Sequence, residues 1–174
     1  GPYLGLFSCR KEHVRQMPGR ICGMTKDKDG KRGFVLTLQA REQHIRRDKA
    51  ASNICSNEAL CALSATIYSA LYGPEGLKEL AEANAGAAAY AAGRLSSIKG
   101  CSLKFKSPFF NEFALTVPGS AAALREKCLA KGVDIGLPLA PLYPELGETL
   151  LVCATETKTE ADIKKLETVI KEAI

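Results

Sequence analysis

The run Gln39-Ala-Arg-Glu-Gln-His-Ile-Arg-Arg-Asp-Lys-Ala-Ala-Ser-Asn-Ile-Cys-Ser-Asn-Glu-Ala-Leu60 passes without a break from a cationic segment into an almost uncharged helix. Arg41, Arg46, Arg47 and Lys49 carry the charge. Ser52 or Asn53 supplies the helix start, because a short side-chain oxygen there accepts from the free backbone N–H groups of the first turn. From Ile54 to Tyr72 the only formal charge is Glu58. Leu60, Leu63, Ile67 and Leu71 recur at three- and four-residue steps, with Ala59, Ala62, Ala65 and Ala70 between them. That spacing predicts a core stripe on a helix buried on several sides, including against another chain. A cationic lead-in fused to such a helix reads as a contact surface held rigid by a core. Arg46-Arg47 ahead of a helix N-terminus also suits an anion, with Ser52 and Asn53 as side-chain participants. The plainer reading is that those two residues only cap the helix.

Outward from this stretch, charge is uneven. Residues 1–50 hold 12 Lys/Arg against 5 Asp/Glu, a net of +7, while the whole chain is +5. A basic first third calls for an anionic partner such as phosphate, an acidic protein surface or nucleic acid, unless it is simply a solvated face. Aromatic residues total only 6%, with no platform of Tyr or Phe alternating with basic residues, which argues against nucleic acid. Seven cysteines, an odd number with no Cys-x-x-Cys pair, read as buried free thiols in a reducing cytoplasm. No apolar run reaches the roughly 20 residues of a membrane span. With 174 residues the chain can hold a core without disulfides or metal.

Before the central stretch, Tyr3-Leu-Gly-Leu-Phe-Ser-Cys9 has the length and continuous apolarity of a strand buried on both faces. Arg10 to Met17 reads as a short helix stopped by Pro18-Gly19. Arg20–Thr25 and Lys31–Leu38 flank the turn signal Asp29-Gly30 and predict a β-hairpin. After it, Gly73-Pro74 ends the first helix and opens a second, Glu75 to Ser97, with Leu77, Leu80, Ala81, Ala88 and Leu95 on one face. Strands are then expected at Leu103–Phe105, Phe113–Val117, Val133–Ile135 and Thr149–Ala154. Helices are expected from Ser120 to Lys131 and from Thr159 to the end, the latter opened by a Thr-Glu-Ala-Asp capping signal. Strand–strand–helix–strand–helix around one core is a compact α+β unit.

Self-sufficient catalytic machinery is missing from the wording. There is no phosphate-binding glycine loop and no Gly-x-Ser-x-Gly elbow, and His13 and His44 are the only histidines. Two histidines cannot assemble a metal cluster at recognised spacings. Cys9, before Arg10-Lys11, is the one thiol in a basic setting, and a buried strand-end thiol is the more ordinary reading.

Residues Arg41 to Leu60 resemble the REQHIRR(E/D)KA-x-SNIC segment of the glycine cleavage system P-protein, and within that family the α-type chains. Gly1-Pro-Tyr-Leu-Gly-Leu-Phe7, Arg15-Gln-Met-Pro-Gly-Arg-Ile21, Gly33-Phe-Val-Leu-Thr-Leu-Gln39 and Gly73-Pro-Glu-Gly-Leu77 fit the same pattern. The resemblance covers essentially the whole chain. One departure is Ala51, where the family usually has threonine, which removes a hydroxyl from the candidate anion site.

The resemblance implies α/β plus α+β architecture, that of a fold-type-I, aminotransferase-like pyridoxal-phosphate enzyme. Residues 1–73 would be the C-terminal part of the large domain and 74–174 the small C-terminal domain, so the chain reads as a C-terminal fragment. The implied activity is glycine dehydrogenase (decarboxylating), in which the cofactor is the electron sink for loss of carbon dioxide and the aminomethyl group passes to lipoyl H-protein. The implied partners are a β-type subunit in a cytoplasmic heterotetramer, H-protein, and glycine as substrate. In split systems the Schiff-base lysine follows a histidine in the β-type chain. This sequence has no His-Lys pair, so pyridoxal phosphate is expected on the partner, no catalytic residue is named here, and the chain alone is expected to be inactive. Arg41, His44, Arg46, Arg47, Lys49, Ser52 and Asn53 are the candidate cofactor-binding or subunit-interface residues. A non-catalytic dimerisation scaffold is the alternative, with a basic nucleic-acid-binding domain more remote.

Overall fold

The computed structural model describes residues 4–50 and 58–174. The chain divides into two units, Gly1–Leu71 and Tyr72–Ile174.

In the first unit, β1 (Ile21–Lys26) and β2 (Arg32–Thr37) form the expected antiparallel hairpin, with Met24 opposite Phe34 and Lys26 opposite Arg32. Its turn is self-contained: Asp27 Oδ1 accepts from the backbone N–H of Asp29 and of Lys31, both at 2.9 Å, and Gly30 takes φ 77. Both Asx-type bonds replace ladder bonds that the turn cannot make. The cationic stretch follows as a 3-10 turn at Gln39–Arg41, a short α1 (Gln43–Arg46) and a second 3-10 turn at Arg47–Lys49. The helix α2 (Ala59–Ser96) begins in this unit and is interrupted at Gly73, whose φ 63 and ψ −178 are not helical.

Three expectations are not met within this unit. Residues 4–10 form no strand and are exposed, Leu6 and Phe7 by 98% and 67%. An extended run becomes a strand only when a neighbour closes its backbone hydrogen bonds, and none among the described residues does. The helix foreseen over Arg10–Met17 shrinks to a 3-10 turn at Lys11–His13. The apolar stripe of α2 is also not a core in this chain: Leu60, Leu63, Ile67 and Leu71 are 79%, 56%, 52% and 80% exposed. Among the described residues of the first unit, Arg41 alone is buried.

The second unit carries the hydrophobic core. Four strands, β3 (Ser102–Leu103), β4 (Glu112–Thr116), β5 (Leu137–Pro138) and β6 (Thr149–Cys153), lie in the order β3-β4-β6-β5, every pair antiparallel. In the central pair Phe113 faces Val152 and Leu115 faces Leu150. With Val117 and Ala154 these residues alternate along their strands and are all buried, the period-2 pattern of a sheet with one face against helices. The helices are the second part of α2, through Ala88, Ala91, Ala92 and Leu95, then α3 (Ala121–Leu129) through Leu124 and Cys128, and α4 (Glu160–Ala173) through Ile163 and Ile170. Alanines on α2 let its backbone approach closely, which explains an alanine-rich helix inside a core.

Helix ends follow local rules. Ser120 Oγ accepts from Ala123 N at 3.3 Å and the Glu148 carboxylate accepts from Ala121 N at 2.7 Å, so α3 has two acceptors at its start. Thr159 and Asp162 form a reciprocal capping box on α4. Val133–Ile135 is not the expected strand; pairing begins at Leu137 instead. Gly136 explains the delay. Its φ is 119, and a Cβ added there would lie 2.3 Å from Leu151 O, so the chain crosses β6 at a point where only glycine fits.

Three polar side chains are buried in this unit, Asn84, Thr149 and Glu167, and only the last is charged. Glu167 is 4% exposed and is held by two cations, accepting from Arg94 Nε at 2.7 Å and from Lys171 Nζ at 2.6 Å. Lys171 first and Arg94 second hold its carboxyl below the ordinary carboxylate range.

Two outcomes follow. Gly136→Ala should destabilise the chain by about 2–4 kcal/mol, measured by urea unfolding, because it adds a steric clash to a forbidden φ. Because the folded-state pKa of Glu167 lies below its unfolded value, its ion network stabilises the fold above the unfolded pKa, and that stability fades as pH falls below about 4.5. Glu167→Gln should therefore flatten the acid limb of a stability-versus-pH curve and lower stability at neutral pH; an unchanged acid limb would remove Glu167 from that role.

Candidate functional site

Arg41 is the best-defined side chain of the cationic stretch, and it faces inward. Its guanidinium donates through Nη1 to Met17 O and through Nη2 to Gly19 O, while Nη1 lies 3.1 Å from Glu42 Oε1. The side chain is 9% exposed and its Nε has no acceptor. Pro18 explains the need: a Met-Pro-Gly turn presents carbonyls on either side of a residue that has no N–H to donate. A planar guanidinium with several donors reaches both carbonyls at once, which an ammonium cannot. Arg41 thus fastens the cationic stretch to the segment preceding the hairpin, and its charge is spent inside the unit.

His44, Arg46, Arg47 and Lys49 are exposed. Two left-handed residues shape their backbone, Leu38 at φ 54 and Arg47 at φ 54, the latter directly after the last residue of α1. A side chain at positive φ is uncommon and marks a backbone held by its surroundings. The turn sets Arg46 at the end of α1 and Arg47 outside the helical track. His44 lines a hollow of about 170 Å³ together with Arg20, Gln39 and Glu42, backed by Ile21, Leu36 and Thr37 of the hairpin. The hollow therefore joins a residue flagged in the sequence to hairpin positions that were not. Ser52 and Asn53, with Cys55, lie outside the described residues.

The second unit has larger hollows, two of which are lined in part by strands of its sheet. One, of about 360 Å³, lies between the end of β6 and the start of α4, with Cys153, Lys158, Asp162 and Lys165 on its walls. Asp134, also on its wall, is held by Arg125 through two hydrogen bonds of 3.0 and 2.9 Å, which keeps its carboxyl below the usual range. The other, of about 630 Å³, is largely apolar and includes Phe105, Phe109, Phe113 and Tyr143. Neither holds a histidine, so neither offers a nucleophile paired with an imidazole base.

The thiols divide by exposure. Cys101 and Cys128 are the buried free thiols that composition suggested, and burial pushes both up from the usual thiol range. Cys9, Cys22 and Cys153 are exposed, contrary to that expectation: Cys9 and Cys22 belong to the Leu4–Cys9 segment and the hairpin, which have no core above them, and Cys153 is the exposed last residue of β6. Cys9 lies 3.8 Å from Met17 Sδ, with no base beside it in that contact. Every lysine of the chain is exposed. Among the described residues no three His, Cys, Asp or Glu side chains are grouped to hold a metal ion, and no helix is long and apolar enough to cross a membrane.

Replacing Arg41 by Lys should loosen the first unit, because the two carbonyls flanking Pro18 cannot both be served by one ammonium. Amide hydrogen exchange across residues 15–26 should rise, while exchange in α4 stays as it was.

Comparison with known proteins identifies the lineage. The family model for the glycine cleavage system P-protein matches residues 1–170. A probable glycine dehydrogenase (decarboxylating) subunit 1 of Desulfitobacterium hafniense is 55% identical over 166 residues, 95% of this chain and 37% of that protein. Another, from Xanthobacter autotrophicus, is 53% identical over all of this chain and 39% of its own length. The crystal structure of an inhibitor-bound glycine decarboxylase (P-protein) of the glycine cleavage system superposes with a TM-score of 0.82 at 41% identity, covering 94% of this chain and 37% of that one. The chain therefore spans under two-fifths of the length of the relatives it matches. At that identity the likeness carries the mixed α/β fold expected from the sequence.

Proposed function

The chain belongs to the glycine cleavage system P-protein family, and we propose that it forms part of an α-type glycine dehydrogenase (decarboxylating) subunit, supplying the small domain and a subunit interface. On this reading residues 1–73 are the end of the large domain and 74–174 the small one. The complete enzyme releases carbon dioxide from glycine and passes the aminomethyl group to lipoyl H-protein in the cytoplasm, as a heterotetramer with a β-type subunit. The observation that carries the reading is the match, over nearly the whole chain, to relatives described as subunit 1.

Pyridoxal phosphate, when bound to the complete enzyme, supplies the electron sink for decarboxylation. The residues of this chain do not fit its covalent anchor. An anchoring lysine is made nucleophilic by a desolvated setting or a neighbouring cation, and here every lysine is exposed. Lys164 even has its pKa raised by its bond to Glu160, which favours the unreactive ammonium. We therefore assign the cofactor to the β-type partner. His44, Arg46, Arg47 and Lys49, with Ser52 and Asn53, are assigned to the surface that meets the partner near its cofactor phosphate or along the approach of H-protein. Their exposure and positive charge support that role, whereas Arg41 would act by holding their backbone. A scaffold role without catalytic influence is favoured by one feature, the exposed apolar stripe of α2, and differs in its kinetics.

In the complete α/β complex, Arg46→Ala with Arg47→Ala should lower glycine turnover at least about tenfold or weaken subunit assembly, with borohydride-trapped cofactor found on the partner chain. Unchanged turnover and assembly would overturn the interface assignment, and a trapped lysine in this chain would overturn the cofactor assignment.

A further inference from the structure

The hairpin of the first unit carries its charge in an arrangement that weakens it. Lys26 on β1 stands directly opposite Arg32 on β2, on the last rung before the turn. Like charges directly opposite one another on a strand pair are destabilising, whereas an acid in either place would have bonded across it. The turn adds Lys28 and Lys31, so the tip holds four cations, all exposed and none in an ion pair among the described residues. Its acids do not offset them in the same way. Asp27 accepts from the backbone N–H groups of Asp29 and Lys31, which holds its carboxylate against the turn, and only Asp29 is left beside it. One rung further from the tip and on the same face, Met24 stands opposite Phe34, and the two are 74% and 66% exposed. The Arg32 guanidinium lies over the Phe34 ring, 5.8 Å from its centroid.

We propose that the tip of this hairpin is a docking surface for an acidic segment of another protein, whose carboxylates settle against Lys26 and Arg32. A carboxylate brought to that rung turns a repulsive pair into two attractive contacts, so docking relieves what the free hairpin bears. The surroundings select the kind of anion. The cations adjoin the apolar surface of Met24 and Phe34, which a protein side chain covers and a polyphosphate backbone does not. Phe34 is the one aromatic residue of the hairpin, so there is no platform for stacking successive bases. A bilayer is flat and would press its phosphates on Asp29 together with the cations, whereas a shaped protein surface leaves that carboxylate in water. Exposed ion pairs are individually weak and screened by salt, so the complex is reversible and salt-sensitive. The inference does not rest on the proposed activity, since it uses only the hairpin.

Fluorescence anisotropy of the 174-residue chain with a short labelled peptide of glutamate and leucine tests it, with amide hydrogen exchange across residues 21–37 to follow the hairpin. The expected result is saturable binding that weakens as salt rises. Lys26→Gln with Arg32→Gln should weaken it at least about fivefold. Arg10→Gln with Lys11→Gln removes the same charge from elsewhere in the unit and should change it by less than about twofold. Exchange in the hairpin should not rise in the first variant; a rise would remove the repulsive rung from which the proposal starts. Equal losses in the two variants reduce the effect to net charge and overturn the proposal. So does a peptide that fails to bind, which leaves the cations as guards of the hairpin's open edges. If a single-stranded oligonucleotide or phosphatidylserine vesicles bind more tightly than the peptide, and the first variant loses that binding, the tip belongs to that surface and the acidic-protein reading falls.

Discussion

The antiparallel ladder between β4 and β6 is the constraint from which the second unit is built. Its register puts Leu115 against Leu150 and Phe113 against Val152, so both strands present their large apolar side chains to the same face. A slip of one residue would turn those side chains to the other face and bring Ala114 and Leu151 inward, leaving α2, α3 and α4 with nothing to cover. The loop details serve that register. Gly136 lets the chain cross β6 closely enough for β5 to pair, and Glu148 caps α3 immediately before β6 begins. The Glu167 network then ties α2 to α4 with charge through Arg94.

The first unit is organised on the opposite principle. Its hairpin is closed by backbone and Asx bonds, its cationic stretch is pinned by one guanidinium, and its large apolar side chains point outward. Burial of apolar surface is the main favourable term in folding. A segment that exposes Leu6, Phe7, Phe34, Leu60 and Leu71 together must draw its stability from contacts beyond itself. That agrees with a chain covering under two-fifths of its relatives' length.

Legibility in the sequence tracked how local each determinant was. The Asp29-Gly30 turn, the Thr159 capping box, the strand at Phe113–Val117 and the break at Gly73-Pro74 each depend on residues a few positions apart, and each appears in the structure. The strand foreseen at Tyr3–Cys9 and the core stripe of α2 depend on distant partners, and apolar wording alone cannot say whether a partner is at hand. Val133–Ile135 was misjudged because its β-branched residues outweighed a glycine whose importance lies in the strand it crosses. Within the candidate site, the sequence marked the cationic stretch as one surface. It could not show that Arg41 turns inward, since that follows from two carbonyls more than twenty residues earlier. Pro18 was the available hint, as a residue that leaves acceptors without a matching donor.

The inward turn of Arg41 divides the positive charge of the first unit into two populations with different responses to ionic strength. Arg46, Arg47 and Lys49 stand in solvent, where a Debye length of about 8 Å at physiological salt screens all but near encounters. Arg41 is shielded from mobile ions and hydrogen-bonded to fixed carbonyls, so salt reaches it poorly. Raising the salt should therefore strip the surface of its long-range pull on anionic partners while leaving the backbone that displays it in place. For this unit, attraction and architecture are separable quantities, although four cationic residues drawn from one short stretch of sequence look alike on the page.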